Sequence, residues 1–252
     1  MFLESTTPMT WNIIISVLLM ILAYICGSFP SGVVIGKAMA GTDIRQFGSK
    51  NTGSTNAIRV LGKKVGFLVF FCDVFKGAIV IIILQILSKC DVFHSVLDYG
   101  FYGMMAVIGH SYSIFLGFKG GKAVATSLGV VLCICPLAGI LCLITFLIVL
   151  KSTGYVSLAS TFATLAVLLT YLVLFFVGYY GPSFIEYFIN KPSLANLLTI
   201  LVPGVIIIYK HIPNYKRLAN GTENSFKKKK VDPIEATVED DTENNNENAA
   251  EN

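Results

Sequence analysis

The chain has 252 residues, of which 54% are hydrophobic and only 13% charged, with a mean hydropathy of +0.71. Soluble domains carry about one-quarter charged residues, so this composition excludes an ordinary soluble protein and indicates an integral membrane protein. The formal charge of +4 hides an asymmetry: residues 1–231 balance at +12, whereas residues 232–252 hold eight acids and no Lys or Arg.

A membrane helix needs about 20 consecutive apolar residues. The first uncharged stretch, Ser5 to Gly36, predicts a retained anchor helix over residues 10–37. Nothing basic precedes it and no small-x-small site closes it, unlike a secretory signal. Gly32 and Gly36 within it form GxxxG, a pattern for close helix packing. A second helix over 65–87 is apolar except for Asp73 and Lys76, three apart on one face, where they can neutralise each other. Further spans are expected over 99–116, 154–180 and 193–210.

The 28 residues from Ala123 to Leu150 are long for one helix and short for two, and charge parity decides between them. Two short helices breaking near Pro136 put sixteen of the nineteen basic residues on one side, from Lys37 in the first loop to Lys227–Lys230 near the C-terminus. A single helix destroys that bias. The expected fold is therefore an all-α integral membrane protein, a seven-helix bundle. Its N-terminus is outside, its C-terminus is cytoplasmic, and its motif loops face the cytoplasm. Residues 1–226 form the polytopic membrane domain, and residues 227–252 a basic run followed by a disordered acidic and Asn-rich tail. The basic face suits membrane lipid and anionic substrates rather than nucleic acid. The six cysteines show no disulfide framework or CxxC metal pattern. No internal repeat supports the inverted halves of many transporters.

Polar residues in so apolar a chain must be solvated, paired or useful, and they fall into clusters. The first runs from Asp43 to Asn56 and on to Arg59. Gly48 and Gly53 free the backbone to turn its N–H groups toward a ligand, Ser49, Ser54 and Thr55 add hydroxyl donors, and Arg45 and Arg59 supply charged forks. That is the inventory of a phosphate site, and equally of a turn-rich loop that caps a helix. The second cluster, Gly109 to Thr126, places Gly120, Gly121 and Lys122 at the start of a helix, where free N–H groups attract anions. It is not a Walker A loop, because Leu116 and Ala123 occupy positions that need glycine and Ser or Thr. Taken alone it reads as a tight turn with snorkelling lysines; two such clusters on one side favour two bound phosphates. The third cluster, Lys210 to Glu223, spaces His211, Asn214 and Arg217 three apart, on one helical face if Pro213 permits. The loop at Gly154 adds Ser157 and Ser160, which can donate to a ligand or to a carbonyl within their own helix.

These clusters read DIRxxGSxNxGxTNxxR, GHxxxxFxGFxGGKxxAT and HxxNxxRLxxGxE, in that order. In this the chain resembles the acyl-phosphate glycerol-3-phosphate acyltransferases, the PlsY family, from Gly27 to Glu223. The resemblance implies a bacterial enzyme of the cytoplasmic (inner) membrane that acylates glycerol 3-phosphate from acyl phosphate, giving lysophosphatidic acid and phosphate. Carried over by position, it implies catalytic roles for Ser49, Arg59, His211 and Asn214. Acyl phosphate would be bound by Ser49, Asn51, Gly53, Ser54, Thr55 and Asn56. Glycerol 3-phosphate would be bound by Arg45, Gly120, Gly121, Lys122 and Ser157, with Glu223 holding the C-terminal segment in place. No cofactor or metal is implied, and an enzyme that forms acyl phosphate is implied upstream. Two departures stand out: Lys50 and Ala123 occupy positions where the family usually has glycine.

The chemistry suits these parts. Acyl phosphate is already activated, so positioning and oxyanion stabilisation suffice for direct transfer, with a phosphate oxygen or His211 assisting deprotonation. The HxxxxD signature of other glycerolipid acyltransferases is absent, since Tyr99, Phe115 and Lys216 follow the three histidines at that spacing, so acyl-CoA is not the expected donor. The rival reading is an anion transporter, but transporter sites lie at midplane in broken helices.

Overall fold

The computed structural model describes residues 9–180 and 194–226. Over these residues the protein is all-helical, with eight α-helices and two 3₁₀ turns. In chain order they are α1 (Met9–Ser28), α2 (Ser31–Ala40), α3 (Ser54–Lys89), α4 (Tyr99–Ser111), α5 (Val124–Ile134), α6 (Pro136–Thr153), α7 (Val156–Tyr180) and α8 (Leu194–Ala219). The basic run and acidic tail lie outside the described residues. Among the described residues, five helices are long and apolar enough to cross a membrane: α1, α3, α6, α7 and α8. Much of their surface is apolar and exposed, as at Trp11, Leu18, Ile148, Phe162 and Leu169, which is the mark of helices bathed in lipid.

Local chemistry explains the breaks. The single span expected over 10–37 is two helices, because Pro30 lacks an N–H and disfavours helical backbone at Phe29 before it. The Pro30 carbonyl then starts α2 by accepting from the N–H groups of Val33 and Val34. The stretch after Lys122 also divides, with Pro136 at the first turn of α6, where its missing N–H costs nothing. The helix expected over 65–87 starts earlier, at Ser54, and bends at Gly62, whose φ of 84° and ψ of 174° suit glycine almost alone. α8 runs on through Pro203 and Pro213, so Pro213 does not break up the face that carries His211 and Asn214.

Close packing uses glycine where backbones meet. A Cβ on Gly27 would strike the Ala106 carbonyl, and one on Gly109 the Tyr24 carbonyl, so α1 and α4 lie in contact. The GxxxG of α2 acts differently from the expectation. Gly32 makes room for the Thr52 carbonyl, and Gly36 for the Thr42 carbonyl and Ile44. Its smooth face receives the first polar loop, with Leu61 of α3 also against Gly36. α3 packs on α5, α6 on α7, and α8 on both α4 and α7. This brings the loops before α3 and α5, the α6–α7 turn and the end of α8 together.

Candidate active site

The first loop is built around Asn56. Its Oδ1 accepts from the Ser49 N–H at 2.8 Å and from the Ser49 hydroxyl at 3.1 Å, while its Nδ2 donates to the carbonyls of Ile44, Phe47 and Asn51. Asn56 is almost wholly buried, and every polar atom of its side chain is engaged. It braces the loop, so any part it plays in binding acyl phosphate is through the shape it gives Ser49 and its neighbours. Asn51 likewise turns inward, its Oδ1 accepting from the Gly53 N–H at 3.1 Å. The N–H groups of Asn56 and Ala57 turn back to the Gly53 carbonyl, so Ser54 and Thr55 sit at the open N-terminus of α3. Arg45 forms a forked contact with Asp43, 2.6 Å at its shortest, and this hydrogen-bonded cation pulls the Asp43 carboxyl down to about 2.

Lys50 and Ala123, the two positions where the resemblance leads one to expect glycine, both have left-handed backbone, with φ of 55° and 59°. The glycine conformation is kept here by residues with a Cβ, at about 1–2 kcal/mol each.

The second loop folds back on α4. The N–H groups of Gly120 and Gly121 donate to the carbonyls of Ser111 and His110 at 3.2 and 3.0 Å. Lys122 follows, and its ammonium donates to Asn214 Oδ1 on α8. The amide of Asn214 is oriented from its far side, since its Nδ2 donates to Glu223 Oε1 at 2.7 Å. Ser157 at the start of α7 donates to the same oxygen at 3.1 Å, and Arg217 Nε to Oε2 at 2.8 Å. Burial works against ionising Glu223, but these three donors and the Arg217 charge outweigh it and hold the carboxyl below its ordinary value. Burial chiefly pulls Lys122 down to about 8; Glu223 opposes that shift, and Arg217 and Arg59 add to it.

The segment after α8 crosses to the α6–α7 turn. The Phe226 N–H donates to the Gly154 carbonyl at 2.9 Å, and the Arg59 guanidinium lies over the Phe226 ring, 5.3 Å from its centroid. Arg59, Lys122 and Arg217 thus gather around one carboxylate, an excess of positive charge in a partly buried site. His211 stands one turn before Asn214, buried, with Nδ1 2.7 Å from the Ile207 carbonyl. A carbonyl only accepts, so Nδ1 carries the proton and Nε2 keeps its lone pair. Beside this cluster is an apolar cavity of about 530 Å³ between α4, α5, α6, α7 and α8. Its lining includes Val124, two residues after Lys122; Ser160, one turn from Ser157; and Ile207.

The structure thus unites Lys122, Ser157, His211, Asn214 and Glu223, with Arg59 joined through the C-terminal segment. Arg45 is engaged with Asp43 instead. The bracing by Asn56 and the Phe226 strap escape sequence reading; a lone aromatic after a run of polar residues was the single hint of the latter.

Residues 17–221 match the family model described as glycerol-3-phosphate acyltransferase. The chain belongs to that family. A glycerol-3-phosphate acyltransferase of Fusobacterium nucleatum is 44% identical over 207 residues, covering 82% of this chain and 96% of that protein. Another, of Acholeplasma laidlawii, is 40% identical over 238 residues, covering 90% and 99%. Among solved structures, the glycerol 3-phosphate form of PlsY, an integral membrane glycerol 3-phosphate acyltransferase, has a TM-score of 0.71 and 37% identity, covering 84% of this chain and 96% of that one. The lysophosphatidic acid form has a TM-score of 0.69 and 36% identity, covering 84% and 95%. This member of the acyltransferase family is accordingly an enzyme of phospholipid synthesis and a multi-pass membrane protein.

Proposed function

We propose that the protein transfers a fatty acyl group from acyl phosphate to glycerol 3-phosphate, releasing lysophosphatidic acid and inorganic phosphate. The observation that carries this reading is the junction of two environments: three cations around one carboxylate, next to an apolar cavity of about 530 Å³. A substrate with an anionic head and an alkyl tail matches both halves, the cations facing the head and the apolar lining facing the tail. The two PlsY structures are the glycerol 3-phosphate form and the lysophosphatidic acid form of that protein, in keeping with acceptor and product.

In this reading Ser49, Ser54, Thr55 and Arg59 hold the donor phosphate around the turn at Gly53, and Lys122 holds the acceptor phosphate, presented by the Gly120–Gly121 turn whose N–H groups are bonded back to α4. The acceptor's primary hydroxyl attacks the acyl carbon. The new ester C–O bond forms as the C–O bond to phosphate breaks, phosphate leaving with the electron pair. The hydroxyl proton passes to His211 Nε2 or to a phosphate oxygen. Asn214 and Lys122 supply donors and charge at the reacting groups, and transfer is direct, without an acyl-enzyme.

The seven crossings, the outside N-terminus and the cytoplasmic site are supported by the charge parity, the bacterial inner membrane by the family resemblance, and all belong to the same proposal. The test supplies purified protein with palmitoyl phosphate and labelled glycerol 3-phosphate, beside palmitoyl-CoA and a Ser49→Ala variant. Labelled lysophosphatidic acid from acyl phosphate alone, lost in Ser49→Ala, is expected. Equal turnover from palmitoyl-CoA, or a covalent acyl-protein trapped in a single turnover, refutes the donor or the direct route respectively.

A further inference from the structure

We propose that His110, held between Asp73 and Thr126, is a positioning residue that sets the spacing of the two polar loops; this rests on the reading of Lys122 and its loop as part of the substrate site. Asp73 and Lys76, both buried, lie one turn apart on α3 with Oδ1 and Nζ 2.7 Å apart. Ser31 donates to the same carboxylate oxygen, and Lys76 also donates to the Phe29 carbonyl at 2.8 Å, at the break between α1 and α2. A buried ion pair seldom adds stability over a well-packed apolar pair, so its presence calls for a use in arranging the structure.

His110, at the end of α4, supplies that use. Its Nδ1 is 3.0 Å from the Thr126 hydroxyl oxygen on α5 and 3.7 Å from Asp73 Oδ1, so the charge on α3 faces the ring and Thr126 fixes its tilt. The opposite edge, Nε2, faces Gly121. A Cβ there would collide with Nε2 and lie 3.0 Å from the Thr52 hydroxyl oxygen of the first loop. The Gly121 N–H donates to the His110 carbonyl itself at 3.0 Å. The backbone just before Lys122 therefore rests on the imidazole, and Thr52 abuts the same glycine. Thr52, in turn, has its carbonyl seated beside Gly32 of α2. His110 acts on Lys122 through Gly121: if the ring edge is lost, the glycine turn settles toward α4 and draws the ammonium away from Asn214.

The test is a double-mutant cycle on the purified full-length protein in detergent. It reads the dissociation constant for glycerol 3-phosphate by calorimetry, with inorganic phosphate as a second probe. His110→Asn keeps a donor near Asp73 and Thr126 and removes the edge under Gly121; Gly121→Ala forces a Cβ against that edge. Each is expected to weaken binding about tenfold, and the double variant also by about tenfold, because both perturb one contact. His110→Gln, which returns a polar terminus toward Gly121, should recover most of the affinity. In turnover the loss should fall chiefly on the acceptor KM, with a smaller fall in kcat because Lys122 also serves the reacting groups. Effects that multiply to about a hundredfold in the double variant overturn the proposal. So does a His110→Asn protein that is obtained in lower yield but binds like wild type. Wild-type turnover of palmitoyl phosphate, measured alongside, judges the assigned reaction separately, since the binding cycle does not depend on it.

Discussion

Replacing Glu223 by Gln keeps the shape of the side chain and removes its charge. The carboxylate accepts from Asn214 and Ser157 at one oxygen, at 2.7 and 3.1 Å, and from Arg217 at the other, at 2.8 Å. An amide has one accepting oxygen and one NH₂ group, so it can serve one side while facing the other with a donor. With its oxygen toward Asn214, its NH₂ meets the Arg217 Nε–H. A hydrogen bond to a charged group is worth about 1.5–3 kcal/mol, and water recovers part of that for the half-exposed Arg217, so the net loss is about 1–2 kcal/mol. Glu223→Ala goes further: Asn214 loses the acceptor that fixes its amide and can flip, turning Nδ2 toward the Lys122 ammonium. Loss of the negative charge also pulls Lys122 further below about 8. We expect kcat/KM to fall about tenfold in Glu223→Gln and about a hundredfold or more in Glu223→Ala, or about 1.4 and 2.7 kcal/mol of transition-state stabilisation. The assay is turnover of palmitoyl phosphate with labelled glycerol 3-phosphate on purified variants, normalised to folded protein by size-exclusion chromatography. A Glu223→Ala enzyme that keeps more than about half of the wild-type kcat/KM refutes the claim that this carboxylate orients Asn214, and a Glu223→Gln enzyme that does so refutes the part assigned to the Arg217 contact.

Four further outcomes are expected. Because Lys122 titrates near 8, kcat/KM for the acceptor should fall as pH rises through that value, as the ammonium that pairs with phosphate is lost; a profile flat to pH 9.5 would contradict this. Glu223 titrates the other way. Its folded pKa is lowered, so its contribution to stability is present above its ordinary 4.5 and lost as pH falls through the folded value, which a thermal unfolding series across acid pH would record. Lys50→Gly and Ala123→Gly should each stabilise the protein, since relief of about 1–2 kcal/mol of left-handed strain exceeds the glycine entropy cost of about 0.5–1 kcal/mol. A rise of about 1–4 °C in Tm is expected, and a fall in either variant would show that the side chain makes contacts worth more than the strain. Asn56→Asp turns a donor to three carbonyls into an acceptor facing them, a loss of about 3 kcal/mol or more, so the Asp43–Gly53 loop should become protease-sensitive and turnover should vanish. Full protease resistance in that variant would show that the loop is held by something else.

Much of the fold was legible in the chain because its causes are local. Runs of apolar residues require a lipid solvent, Pro136 divides the stretch after Lys122, and Asp73 and Lys76 pair at the one-turn spacing that put them on one face. The first span misled because its hydropathy runs unbroken through Phe29 and Pro30, and the proline's missing N–H decided the matter. Gly32 and Gly36 were legible as a smooth face but not as to what lies on it. At the site, motif spacing marked Lys122, Ser157, Asn214 and Glu223 singly. It could not show that Glu223 reaches Ser157, 66 residues earlier, or that Asn56 spends its whole amide on its own loop.

The sequence by itself determined the solvent in which this protein folds, its helical class, its excess of positive charge and which residues are too polar to be idle. Tertiary structure alone decided which of them are partners. Lys122 and Asn214 meet across 92 residues, and His110 meets both Asp73 and the glycine before Lys122. The reason is physical. Composition and periodicity act over one or two turns of helix, whereas a bond across the bundle exists only once glycine contacts and helix breaks have set how closely α3, α4, α5 and α8 approach.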